Sequence, residues 1–256
     1  MSEIKFIPKK MLLLLIIYFI VIDVVSILSV DKVFSNSLFD YIVNLRWGGS
    51  AGMMPIILGV LPVLAILFPL LIDKMEMDMY VLRIENKRKL FYNHLIFAIM
   101  ASAFFTLFMV LSGIIASFIA TGNVHNLWGT KDGMVYFLLD NKDYFSIYLP
   151  HVTSMKVWLY IISSRFLAIL CITLFIILLK SFLKKNIYVF FVSWIFLGID
   201  GFFSNQFTLF LGRASITLET WISPSDQLFN LVYFMLGIVI FYYICIKLYD
   251  KKEFFD

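Results

Sequence analysis

The sequence predicts an all-α, polytopic helical membrane protein with six transmembrane helices and both termini in the cytoplasm. Three observations lead there. Hydrophobic residues make up 62% of the 256 and charged residues 15%, against roughly 45–50% and 25% in soluble chains. A water-soluble domain of this length cannot hide that much apolar surface, whereas lipid requires it. Apolar runs close to 20 residues long recur, the length that crosses a hydrocarbon core of about 30 Å. Finally, the basic residues cluster in alternate connections between those runs.

The runs are 11–30, 53–72, 94–120, 157–179, 187–204 and 230–248, within a single transmembrane domain covering 1–256. The first has too long an apolar stretch, and no small-residue cleavage site after it, for a removable signal peptide. With the N-terminus inside, 14 of the 21 Lys and Arg fall in inner segments, six fall outside, and Arg165 lies within a span. That bias sets orientation, because cytoplasmic connections are enriched in Lys and Arg. Trp47, Trp128, Trp158 and Trp221 then fall at or near the outer interface, where tryptophan anchors helices, and only Trp194 is deeper.

Two spans carry packing signals. Pro55, Pro62 and Pro69 share one face of the second. Pro62 removes a backbone donor and bends the helix, either as a hinge beside a path or as a packing kink. In the third, Ser112, Ala116 and Ala120 recur at steps of four beside Gly113 and Ser117, small residues that let elements of the same chain approach closely.

Asp23, Arg165 and Asp200 are charged residues within spans. Each costs roughly 2.5–3.5 kcal/mol at mid-helix on insertion scales unless paired or wetted. Counting at about 1.5 Å per residue puts all three at similar depth. Arg165 is therefore expected to pair with Asp200 or with Asp23, either lining a polar path or forming a structural ion pair.

The inner connection, 73–92, opens with Asp73, Glu76 and Asp78. It carries Met75, Met79 and Leu82 at helical spacing and closes with Arg83, Lys87, Arg88 and Lys89. Acid at a helix start and base at its end suit the helix dipole. The segment reads as a short amphipathic helix whose methionines offer an adaptable contact surface for a membrane or a partner.

In these features the chain resembles the permease subunits of ABC-2 type ATP-binding-cassette exporters, in particular small bacterial ones linked to peptide and bacteriocin export or immunity. Such permeases have six spans and both termini inside. After the second span they carry an acidic residue, a coupling helix and an arginine-rich stretch. Glu76, the helix around 75–85, and Arg83 with Arg88 match that arrangement. The hydrophobic stretch 206–225, with Trp221-Ile-Ser-Pro224, resembles the family's partly re-entrant segment, and the tail Lys-Lys-Glu-Phe-Phe its short charged end. The resemblance implies ATPase coupling through Met75, Glu76, Asp78, Met79, Leu82, Arg83 and Arg88. It also implies a second permease copy or paralogue, and a location in the bacterial plasma membrane.

The sequence contains no G-x-x-x-x-G-K-[ST] loop, so ATP and Mg are expected on a separate ATPase chain and no cofactor on this one. His94, His125 and His151 lack metal-ligand spacing. Cys171 and Cys245 lie in apolar runs and read as small hydrophobes. No nucleophile–base motif supports an enzyme. The rival readings are an ion- or proton-coupled transporter using Asp23 and Asp200, and a non-transporting membrane immunity protein. The outer segment 121–156 reads as a packed cap or a substrate contact.

Overall fold

The computed structural model describes residues 8–31, 35–76, 87–199 and 210–251. Every regular element among them is helical. In chain order these are α1 (Lys9–Leu28), α2 (Leu38–Ile42), α3 (Pro55–Met75), α4 (Lys87–Thr121), α5 (Met134–Leu138), α6 (Phe145–Tyr148), α7 (Ser154–Phe182), α8 (Asn186–Ile199), α9 (Leu211–Ala214), α10 (Glu219–Ile222) and α11 (Pro224–Lys251). Five of them, α1, α3, α4, α7 and α11, are long and apolar enough to cross a membrane. The apolar helix α8 is shorter, and the rest of the fifth predicted run, including Asp200, lies outside the described residues.

α7 is the central helix. Residues 168–174 are all buried, so its apolar surface is covered on every side. It packs against α11, α4, α3 and α8. Gly237 of α11 permits one close approach, because a Cβ there would lie 3.2 Å from Cys171 Sγ. Both cysteines are free and buried. α1 sits at the periphery, against the start of α3 and against α4. Its outward face shows Leu13, Leu14, Ile17, Val21 and Leu28, an apolar surface suited to lipid rather than water.

α4 starts at Lys87, seven residues before the predicted run, because Lys87, Arg88 and Lys89 continue the helix beyond its apolar part. Its close-packing face is Gly113 with Ser117, not the expected 112-116-120 stripe: Ala120 is exposed. A Cβ on Gly113 would lie 2.6 Å from Ile42 Cγ1 and 2.5 Å from Ser50 Oγ. The small residue therefore admits α2 and the 43–54 loop rather than another long helix. That loop turns back sharply through Gly48 and Gly49, both at positive φ, where glycine alone carries no Cβ penalty. The turn lets Gly49 N–H donate to the Ser26 carbonyl (3.1 Å) and Ser26 Oγ to the Gly49 carbonyl (2.8 Å).

α3 opens with a π-helical segment, Pro55–Val60, and becomes α-helical at Leu61–Met75. Pro62 follows at the second α-helical position. Its missing N–H leaves the Leu58 carbonyl without the donor that an i to i−4 bond would supply. Tyr18 of α1 donates its hydroxyl to that carbonyl (2.5 Å). Gly59 admits the partner helix, since a Cβ there would lie 3.0 Å from the Phe19 ring. Pro62 is thus buried under α1 at a widened turn. Removing the hydroxyl with Tyr18→Phe should cost about 1 kcal/mol in the wild type. In a Pro62→Ala background the new N–H takes the carbonyl, and the same change should cost almost nothing. Thermal unfolding of the two single variants and the double variant in detergent checks this, and equal penalties in both backgrounds would rule it out.

Candidate functional site

Three polar clusters stand out, one at each end of the bundle and one along its length. At one end the termini of α3, α4, α7, α8 and α11 converge. The Asp73 carboxylate accepts from Lys180 Nζ (2.6 Å) and from the Asn186 amide (2.6 Å), and Lys180 also donates to Asn186 Oδ1 (2.6 Å). Lys180 is buried while Asp73 remains half-exposed, so this network joins α3, α7 and α8 at the edge of the packed interior. Nearby, Arg88 in the first turn of α4 holds Asp250 of α11 through two bonds, Nε to Oδ1 (2.8 Å) and Nη2 to Oδ2 (2.9 Å). Glu76, at the end of α3, lies against Tyr249 of α11. Phe91 and His94 pack on the same tyrosine ring, at 5.4 and 5.9 Å between centroids.

The predicted coupling residues divide accordingly. Met75 is a fully buried residue of α3, Glu76 caps that helix, and Arg88 belongs to α4. Asp78, Met79, Leu82 and Arg83 lie outside the described residues. The segment expected over 73–92 is shorter than the sequence reading, because α3 extends to Met75 and α4 begins at Lys87.

Along the bundle, Asp23 and Arg165 are both buried, 1% exposed each, but they do not pair with each other. α1 packs on α3 and α4, whereas α7 lies beyond them. Asp23 lies beside Ser112 of α4, and its Oδ1 has no partner among the described residues. Arg165 donates from Nη1 to the Ala214 carbonyl. Ala214 ends a four-residue helix, so its carbonyl has no intrahelical partner and is open to the guanidinium. Asp200, the other expected partner, lies outside the described residues.

The far end is an aromatic cap built on one carboxylate. Ser37 and Asp40 bracket the first turn of α2, and Asp40 Oδ2 accepts from Ser37 N–H (2.9 Å) and Asn36 N–H (3.1 Å). Its Oδ1 accepts from Trp128 Nε1 (2.6 Å). Trp128 stacks edge-on to Trp221 (5.6 Å), which meets Tyr160 (5.6 Å), while Phe39 lies 5.5 Å from Trp128 and 5.0 Å from Trp158. Trp128 and Trp221 are fully buried. They are therefore not the lipid-interface anchors that the sequence reading expected, since their indoles face each other. Trp47 is 64% exposed and keeps a surface position. Within 121–156, Met134, Val135, Phe145, Tyr148 and Val152 are buried, so this part packs as a cap. The sequence reading did not single out Asp40; the signal available was the capping pattern Ser37-Leu-Phe-Asp40.

Among the described residues no group of three or more His, Cys, Asp or Glu could hold a metal. Comparisons with family models, with curated proteins and with solved structures found no match for the chain.

Burial pushes the Asp40 carboxyl up to about 6, with the Trp128 indole and the Ser37 and Asn36 amides pulling the other way. A folded value above the unfolded one means that the folded state binds the extra proton. The contribution to stability is complete below the unfolded value of 3.8 and is lost as pH rises through about 6. The loss is about 3 kcal/mol. Thermal unfolding of wild type and Asp40→Asn should therefore diverge from about pH 4 to about pH 7, with the wild type losing ground as pH rises. A constant difference over that range would contradict the assignment.

Proposed function

We propose that the chain is the transmembrane permease subunit of an ATP-driven exporter in a bacterial plasma membrane, with six spans and both termini cytoplasmic. The observation that carries this reading is the anchoring of the connection between α3 and α4. At its start Glu76 meets Tyr249 of α11, and at its end Arg88 holds Asp250 of the same helix. One turn of α11 is therefore tied to both sides of the segment that a partner ATPase would push. Asp73 carries the same displacement to α7 and α8 through Lys180 and Asn186. A load on residues 76–88 reaches five helices without crossing a loop.

In this mechanism ATP and Mg bind a separate ATPase, since the sequence has no phosphate-cradling loop. Closure of two ATPases moves the connection. The long helices then tilt and open a path between two permease subunits, either two copies or this chain and a paralogue. The cargo is a hydrophobic or amphipathic peptide.

A second reading has one observation in its favour. Asp23 is buried with one carboxylate oxygen unpartnered among the described residues, as a proton-binding group of a secondary transporter would be. Transport driven by a proton gradient, without ATP and abolished by Asp23→Asn, would select it.

Purification of the tagged protein from native membranes in mild detergent tests the exporter reading. A P-loop ATPase should co-purify with the wild type. A variant with Glu76→Arg and Met79→Arg should lose it while still purifying as a folded protein with a cooperative thermal transition. Absence of any ATPase, under conditions that keep a known ATP-binding-cassette complex intact, would end the exporter reading.

A further inference from the structure

A cavity of about 200 Å³ opens between the 43–54 loop and the 215–217 turn, with Arg165 of α7 in its wall. The transport reading makes no use of it. The Arg165 guanidinium is 1% exposed, one of its N–H groups reaches the Ala214 carbonyl, and its Nε has no partner among the described residues. A guanidinium carries five donors and remains charged at any physiological pH. Among the described residues, one neutral carbonyl leaves most of that donor capacity and the charge unanswered. Burying a cation in this way is costly unless an anion or further acceptors meet it.

The charged side chains among the described lining residues are two arginines. Arg46 adds a second guanidinium at the rim, where it also holds Asp31 (3.1 Å). Ser215 and Thr217 bring hydroxyls, and no carboxylate is among the described residues that line the cavity. We propose that this cavity binds a phosphate group, with Arg165 as the principal ligand. Arginine suits this role because its planar fork matches two oxygens of a phosphate. The volume limits what enters. At about 30 Å³ per water it holds one small anion with a few waters, and it is smaller than the roughly 300–1,000 Å³ of pockets that enclose an organic ligand. The occupant is free phosphate or the phosphate of a phospholipid headgroup whose chains stay outside, beside the exposed Trp47. The proposal stands with or without an ATPase partner.

The test is thermal unfolding of the full-length protein in neutral detergent, followed by tryptophan fluorescence. Sodium phosphate is titrated at ionic strength held constant with sodium chloride. A ligand that binds only the folded state raises Tm saturably, and this is the expected result for the wild type. Two variants locate the site. Arg165→Gln keeps an amide donor for the Ala214 carbonyl but loses the charge. Thr217→Trp fills the mouth from an exposed position and leaves Arg165 untouched, so it decides the matter even where Arg165→Gln does not fold. Both should lose the saturable rise. No saturable rise in the wild type, or an equal rise in wild type and Thr217→Trp, overturns the proposal.

Nanodiscs separate the two sources. If a headgroup is the occupant, phosphatidylglycerol discs raise the wild-type Tm over neutral galactolipid discs, added phosphate gives little more, and Thr217→Trp abolishes the difference. If free phosphate is the occupant, its effect is the same in both lipids and absent in the variant. A lipid-dependent rise that survives Thr217→Trp counts against the site.

Discussion

Proline at position 62 takes a donor out of a buried helix, and the manner in which that loss is met organises the α1 side of the chain. Inside a packed helix bundle, water does not replace a missing backbone partner, so a neighbouring element must. Tyr18 supplies the hydroxyl, Gly59 supplies the room for Phe19, and the π-helical turn supplies the local widening. α1 is also held against α4, where the Phe19 ring meets Phe105 (4.9 Å) and Phe108 (5.2 Å). Most of its surface faces outward, and in lipid there is no hydrophobic gain in moving an apolar side chain from acyl chains to protein. Its position is set by specific contacts: the Tyr18 hydrogen bond, the Phe19 ring between Gly59 and the α4 phenylalanines, and the Ser26–Gly49 pair at its far end.

The same rule accounts for Arg165. The sequence suggests an acidic partner, because charge is what the one-letter code displays. Among the described residues the hydrogen-bond partner of Arg165 is a carbonyl, that of Ala214, and not Asp23; Asp200 lies outside them. Short helices such as α9 end with carbonyls that nothing inside the helix can use, and one of these lies where α7 passes. A carbonyl satisfies part of a guanidinium without neutralising it. That difference makes the adjoining cavity electropositive rather than merely polar.

The long helices were legible in the sequence because hydropathy averages over about 20 residues and does not depend on what the helix touches. Their ends were less legible. Lys87, Arg88 and Lys89 belong to α4 although they are charged, and Met75 and the residues before it belong to α3. Helix propensity continues where hydropathy stops. The cap was not legible at all. Trp128 and Trp221 are 93 positions apart, and only tertiary contact decides whether two such indoles meet lipid or each other. Asp40 carried a local capping signal, but its bond to Trp128 again joins distant segments. Positions fixed by one turn of helix could be read, and positions fixed by long-range pairing could not.

The two ends of the bundle are held by different forces, and the difference bears on mechanism. At the cap, a buried indole–carboxylate bond is worth roughly 1.5–3 kcal/mol, and each aromatic pair adds roughly 0.5–1.5 kcal/mol beyond its buried area. At the other end, Arg88 and Asp250 are half-exposed, and solvent screens such a pair. Such a pair has directional geometry and little strength. It can pass a displacement from α4 to α11 and then break and re-form at small cost. A molecule whose helices were bolted equally at both ends would resist tilting. The Lys180–Asp73–Asn186 network lies at that same end, so under the exporter reading it is the α4–α11 tie, not the whole end, that would yield first.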